Sequence, residues 1–326
     1  MKNISKESLK VFNIIKQFGP IRSTDIVKKL NLSTKNVYKH LSKLLNEDLI
    51  KKTGSTPMVF YSVKIVSKNE AIRYDIDNEV IENNYIYVSP SGEMITGIYG
   101  FQEWCKKNQF DFNKERKLLV SKIKSFQKIK RDGLISAKKI ILSGKKKLFL
   151  DDIFFSDFYT IGHFGKTKLG QLVYLGKSSQ NKDLVIEVVK IIQPSLQTII
   201  NKYNIKLVCY IPPTIDRKTQ FMDVLKKTLK LNLLEIKAIK VPSSNKIPQK
   251  TLRKLEDRII NAQKTIAINP NQLINSNVLI IDDATGSGAT MNETANKIRN
   301  IATKKIKIFG YSVVGSYKGF DIISEV

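Results

Sequence analysis

Asp282 and Asp283 follow four apolar residues, Val278, Leu279, Ile280 and Ile281, and stand just before Thr285-Gly286-Ser287-Gly288-Ala289-Thr290. Adjacent carboxylates accept hydrogen bonds from paired hydroxyls. The glycines let backbone approach a ligand closely. Successive N–H groups, a helix N-terminus and the Ser and Thr hydroxyls form a cradle for an anion. Together these groups suit a ligand with both hydroxyls and phosphate, such as a sugar phosphate. The apolar run reads as a buried strand and 289–301 as a helix. The acids then fall at the carboxyl end of a strand, where open α/β sheets bind ligands.

The flanking chain supplies such a sheet. Helices at 184–203, 221–231 and 289–301 alternate with strands at 207–211, 236–241, 278–281 and 306–314. This alternation predicts a mainly parallel α/β sheet. Two other phosphate-binding motifs are excluded. In the Gly162-to-Thr167 stretch a P-loop would need glycine where Thr160 stands, and 170–175 reads as a strand where a helix is required. A dinucleotide fingerprint would need glycine where Met291 stands.

Apolar strand, paired acids and Thr/Gly loop together resemble the 5-phosphoribosyl diphosphate (PRPP) motif of type I phosphoribosyltransferases. The stretch PQKTLRKLEDRIINAQKTI further resembles the ComF subgroup through Pro248, Gln249, Leu252, Arg258 and Asn261, with Asp257 in place of a Glu. Tyr210-Ile211-Pro212-Pro213 followed by Arg217 is similar to that group's pyrophosphate-loop strand. The resemblance covers about residues 155–320. It implies a type I phosphoribosyltransferase-like sheet, with Asp282 and Asp283 facing the ribose hydroxyls. It implies that Ala284, Thr285, Gly286, Ser287, Gly288, Ala289 and Thr290 wrap the 5-phosphate, and that Mg²⁺ is held mostly by PRPP itself. Arg217, Lys218 and Arg258 are candidates for the diphosphate, with an ordinary solvated basic surface as the alternative. The chain departs from the subgroup in two ways. It lacks the N-terminal Cys zinc module, and it has Lys218-Thr219-Gln220-Phe221 where the group has Arg-Gly-Phe-Asn.

Residues 1–68 carry a second pattern. Leu9, Phe12, Ile15 and Phe18 recur at helical spacing up to Gly19-Pro20. Ser23 or Thr24 can cap a second helix bearing Ile26, Val27 and Leu30. Ser33 can cap a third, whose core face is Val37, Leu41 and Leu44. Two short strands around Thr53-Gly54-Ser55 follow. This α+β order resembles a winged helix-turn-helix. The resemblance implies that the third helix enters the major groove of double-stranded DNA. Thr34, Lys35, Asn36, Lys39 and Lys43 would face the DNA, with Lys51 and Lys52 meeting phosphate from the wing. His40 reads as a half-buried packing residue.

The 326-residue chain has a net charge of +27, with 56 Lys and Arg against 29 Asp and Glu. Residues 1–70 hold 14 basic and 5 acidic side chains, and residues 106–147 hold 15 and 3. The second excess lies in a basic helix at 114–131, with Leu118, Leu119, Ile123, Phe126 and Ile129 as its apolar side. We assign 69–150 as a basic connector or a region of unknown role, whose helix reads as a connector, a dimer contact, extra phosphate-binding surface or simply a solvated basic face, and 151–326 as the phosphoribosyltransferase-like domain. Two cysteines are too few for a disulfide framework or a Cys-based zinc site. The first ten residues carry no apolar signal region, and the longest uncharged run, 265–281, is broken by Asn and Pro. A cytoplasmic protein is the expectation.

Two functions follow. The first is a PRPP-responsive transcriptional regulator, resembling the purine-repressor type, acting as a homodimer on DNA. The second is an active ComF-like phosphoribosyltransferase, acting on a base or in DNA uptake or nucleotide metabolism, with Asp282 and Asp283 as the catalytic candidates.

Overall fold

The computed structural model describes residues 5–47, 49–56, 58–63, 76–142, 147–241 and 254–318. The chain divides into two compact units, 1–74 and 75–326.

The first unit contains α1 (Lys6–Phe18), α2 (Ser23–Leu30), α3 (Thr34–Asn46), β1 (Ile50–Thr53) and β2 (Phe60–Val63). The two strands pair antiparallel as a hairpin. The core is Val11, Ile15, Ile26, Val37, Leu41, Leu44, Ile50 and Tyr61. The spacing in α1 was misleading. Its buried face is Ser8, Val11 and Ile15, while Leu9 and Phe18 are exposed. Val11 competed with Leu9 for the inward position and the packing against α3 decided it. Arg22, not Ser23 or Thr24, occupies the N-cap of α2, and its side chain makes no capping bond. Ser33 caps α3 as expected, accepting from the Asn36 N–H at 3.3 Å. His40 is half-buried, with Nδ1 2.9 Å from the Ser8 hydroxyl.

The second unit opens with α4 (Ile76–Asn84), the hairpin β3 (Ile86–Val88) and β4 (Met94–Thr96), α5 (Gly97–Asn108) and α6 (Phe112–Ile129). These elements share a core of Ile81, Tyr85, Phe101, Leu119, Val120 and Ile123. Described residues 76–142, which the sequence leaves as a connector, therefore pack inside this unit. On α6 the buried side is Leu119, Val120 and Ile123, while Leu118 and Ile129 are exposed. Next come β5 (Ile135–Ser136), α7 (Lys138–Leu142), β6 (Asp152–Phe158), α8 (Lys168–Ser178), α9 (Lys182–Lys202), β7 (Leu207–Tyr210) and α10 (Phe221–Leu229). Then follow β8 (Leu234–Ile236), β9 (Ala238–Lys240), α11 (Leu255–Thr265), β10 (Ile266–Ile268), β11 (Val278–Thr285), α12 (Ala289–Ile301) and β12 (Ile308–Gly315).

Six strands form one sheet in the order β5-β6-β12-β11-β7-β8, parallel except for β5. Side chains alternate between the faces of a strand. Leu279 and Ile281 pack under α8, α9 and α10. Val278 and Ile280 pack under α12. A strand covered on both faces must be apolar throughout, hence the four-residue run. All four are fully buried, each contributing roughly 1.5–3 kcal/mol.

Two sequence expectations change here. Residues 170–175 belong to α8, not to a strand. Thr167 caps that helix, accepting from the Gly170 N–H at 3.0 Å, and Leu169, Leu172 and Val173 bury at helical spacing. The strand expected at 236–241 splits. β8 ends the main sheet, while β9 leaves it to pair antiparallel with β10.

Candidate functional site

β7 and β11 are hydrogen-bonded neighbours, and their chains leave in opposite directions. From β7 the chain passes to α10, on one face of the sheet. From β11 it passes to α12, on the other face. Divergence of two loops at the carboxyl ends of adjacent parallel strands opens a crevice. A cavity of about 210 Å³ lies there.

One wall is β11 and its loop. Asp282, Asp283, Ala284, Thr285, Gly286, Ser287, Gly288, Ala289 and Thr290 all line the cavity. Gly288 is the N-cap of α12 with φ +67°, a left-handed conformation that a side chain would strain. That turn directs the first N–H groups of α12, which a helix leaves without intrahelical partners, toward the loop. Ser287 Oγ accepts from the Ala289 N–H at 3.4 Å. Thr285 Oγ1 is buried without a hydrogen-bond partner. A buried hydroxyl left unsatisfied costs about 1–3 kcal/mol, so it is an opening for an incoming acceptor.

The second wall is the loop after β7, with Pro212, Pro213, Thr214, Ile215 and Arg217. Its far end is held by Gln180, whose Oε1 accepts from the Thr219 N–H at 2.9 Å. Lys218 is exposed and is not among the cavity-lining residues. Arg258, from α11, is buried and reaches the cavity, and that burial lowers its pKa. Pro248, Gln249 and Leu252 lie outside the described residues. The structure thus gathers Arg217 and Arg258 with the whole β11 loop.

Two further cations complete the site, and sequence reasoning missed both. Lys177, on α8, places Nζ 2.9 Å from Asp283 Oδ1, with both side chains largely buried. Lys240, from β9, also lines the cavity, and burial lowers its pKa while Asp282 opposes that shift. No local motif marks either lysine; only the tertiary fold brings them to the acids.

Asp282 lies deep in the crevice. Burial pushes its carboxyl up to about 7, the neighbouring Asp283 charge adds to the rise, and Lys177 and Lys240 oppose it. Its Oδ1 accepts from the Asp283 N–H at 2.9 Å. Two carboxylates, four cations and an amide-rich loop can hold hydroxyls on one side and phosphate groups on the other. Among the described residues no cluster of three His, Cys, Asp or Glu is placed to hold a metal ion. No helix among them is long and apolar enough to cross a membrane.

In the first unit, Thr34, Lys35, Asn36, Lys39 and Lys43 are all exposed on α3. Lys52 is exposed on β1 and Lys51 is half-buried. Tyr38 belongs to the same surface, one turn after Thr34. It is 47% exposed, and its hydroxyl lies 3.0 Å from Ser23 Oγ. The hydrophobic spacing that located the core gave no cue to this exposed aromatic.

No curated protein matches the chain as a relative. Residues 8–52 match the family model of bacterial regulatory proteins of the arsR family, so the first unit is a winged helix-turn-helix of a kind that points to DNA-binding transcription regulation.

Proposed function

We propose that the chain is a DNA-binding transcriptional regulator whose second unit binds PRPP, on a phosphoribosyltransferase-like plan closest to the ComF subgroup. The crevice between β7 and β11 carries this reading. Asp282 and Asp283 would accept from the ribose 2- and 3-hydroxyls. Residues 284–290 would enclose the 5-phosphate, with Thr285 Oγ1 donating to it. Arg217 and Arg258 would meet the diphosphate. Mg²⁺ fits this donor set as part of the ligand. Two carboxylates alone make an incomplete cage, so diphosphate oxygens and water would supply most of its coordination. Bound PRPP would change how a homodimer presents its two α3 helices, which requires different affinities for two states.

The test is duplex binding by the full chain, with and without PRPP and Mg²⁺, alongside calorimetry of PRPP binding. Heat of binding with a several-fold change in affinity for a selected duplex supports the reading. Heat without any change in duplex affinity sinks the regulator, and absence of heat sinks the ligand.

One observation favours a second reading, active transfer. Lys177, Arg217, Lys240 and Arg258 line the crevice and can take up the charge of a departing diphosphate. A base nitrogen would bond to ribose C1 as the C1–O bond to diphosphate breaks, with the nitrogen's proton passing to water. Diphosphate release in the presence of a panel of bases, lost in Asp282→Asn, would establish it. Absence of release with every base would exclude it for that panel.

A further inference from the structure

The basic helix α6 has no part in the crevice. It packs Leu119, Val120 and Ile123 inward. Helical geometry puts Lys114, Lys117, Lys124 and Lys128 together on the opposite side, and all four are exposed. Ser121 and Ser125 lie between them, exposed as well.

The acids of this stretch do not neutralise that face. Asp111 is used as the N-cap of α6, accepting from the Lys114 N–H at 2.7 Å. Glu115 turns inward, with Oε2 2.8 Å from His163 Nε2. Asp132 lies beyond the helix, 3.9 Å from Lys202. Asp77 of α4 pairs with Lys124, at 2.8 Å. At 1.5 Å rise per residue, Lys114 to Lys128 spans about 21 Å. A duplex carries one negative charge per about 1.7 Å of axis counting both strands, so that length of DNA holds about 12 phosphate charges, about 6 on each strand.

We propose that the outward face of α6 is a second nucleic-acid contact, which grips the phosphate backbone of duplex DNA without reading its sequence. This rests on the DNA-binding half of the function proposed above and is independent of PRPP. Compact ammonium groups suit phosphate as point charges, and Lys114, Lys117 and Lys128 stand beside the Lys124–Asp77 pair. The Ser121 hydroxyl can donate to a phosphate oxygen between them, whereas that of Ser125 already donates to the Lys122 carbonyl at 2.7 Å. With α3 supplying sequence preference, α6 supplies a tether that raises the local concentration of DNA.

The experiment compares the intact chain with Lys114→Gln/Lys117→Gln/Lys128→Gln, which changes exposed side chains only and leaves the Lys124–Asp77 pair in place. Duplex affinity is measured across about 50 to 200 mM salt, and the log–log slope is read. Loss of three phosphate contacts should make the slope shallower by about 2–3, equally for related and unrelated sequences. Asn36→Ala should instead change the preference between sequences and leave the slope alone. A slope unchanged in the triple variant overturns the proposal. So does an unchanged slope with lost binding to phosphatidylserine vesicles, which would assign the face to a membrane surface. An intact chain that binds no duplex at all overturns this proposal and the regulator reading together.

Discussion

Asp282→Asn should stabilise the second unit, and by an amount that grows with pH. The Asp282 carboxyl is raised to about 7 from an ordinary 3.8 by burial and by Asp283. A raised acid pKa means that the folded chain holds the proton more tightly than the unfolded chain. Stability is therefore highest below about pH 4 and is lost as pH rises to 7. Each pKa unit is worth about 1.4 kcal/mol, so the full loss is at most about 4 kcal/mol, of which a little under half is already felt at pH 5. Asn keeps the size of the side chain and cannot ionise. The advantage of the variant over wild type should thus be about 2–3 kcal/mol greater at pH 8 than at pH 5. The chain has one tryptophan, Trp104, which lies in the second unit among Phe101, Phe110 and Phe164. Its fluorescence in urea titrations at both pH values reports that unit's unfolding midpoint. An advantage equal at the two pH values, or larger at pH 5, would refute the reasoning. It would mean that Lys177 and Lys240 hold Asp282 ionised throughout.

Two further predictions concern packing. Gly170→Ala should lower the urea midpoint by an amount equivalent to about 1–3 kcal/mol, because a Cβ there runs into the Tyr159 carbonyl oxygen, and an unchanged midpoint would show that α8 can shift outward. Both cysteines are buried and free, and burial pushes the thiol of Cys105 up to about 11 and that of Cys209 up to about 12. Alkylation by iodoacetamide at pH 8 should therefore be slow in the folded chain and fast in urea, and rapid labelling of the native protein would contradict that burial.

How far the sequence could be read depended on whether a signal was local. The β11 loop was legible because strand, acids and glycines are contiguous and each residue type has a separate physical reason to be there. The core of α3 was legible because Val37, Leu41 and Leu44 keep the i, i+4, i+7 spacing of one helical face, while Tyr38, the aromatic on the outward face, stands by itself. Position 9 did have a rival at 11, and 118 at 120, so periodicity alone could not set the rotation of α1 or α6. Residues 170–175 are a short apolar run, which suits strand and helix equally. The Thr167 cap was the discriminating sign, and it lies outside the run. Lys177 meets Asp283 across 106 positions in the chain. No spacing rule reaches that far, and the same holds for Lys240.

The opposite departures of the chain from β7 and β11 have a further consequence. The two walls of the crevice continue into different helical layers, yet they are joined at their roots. The Ile211 N–H donates to the Ile281 carbonyl at 2.9 Å, and Lys177, from the layer that carries α10, pairs with Asp283. Under the proposed function such a site would divide the labour of recognition, with the β11 wall taking the sugar-phosphate end of the ligand and the β7 wall taking the other end.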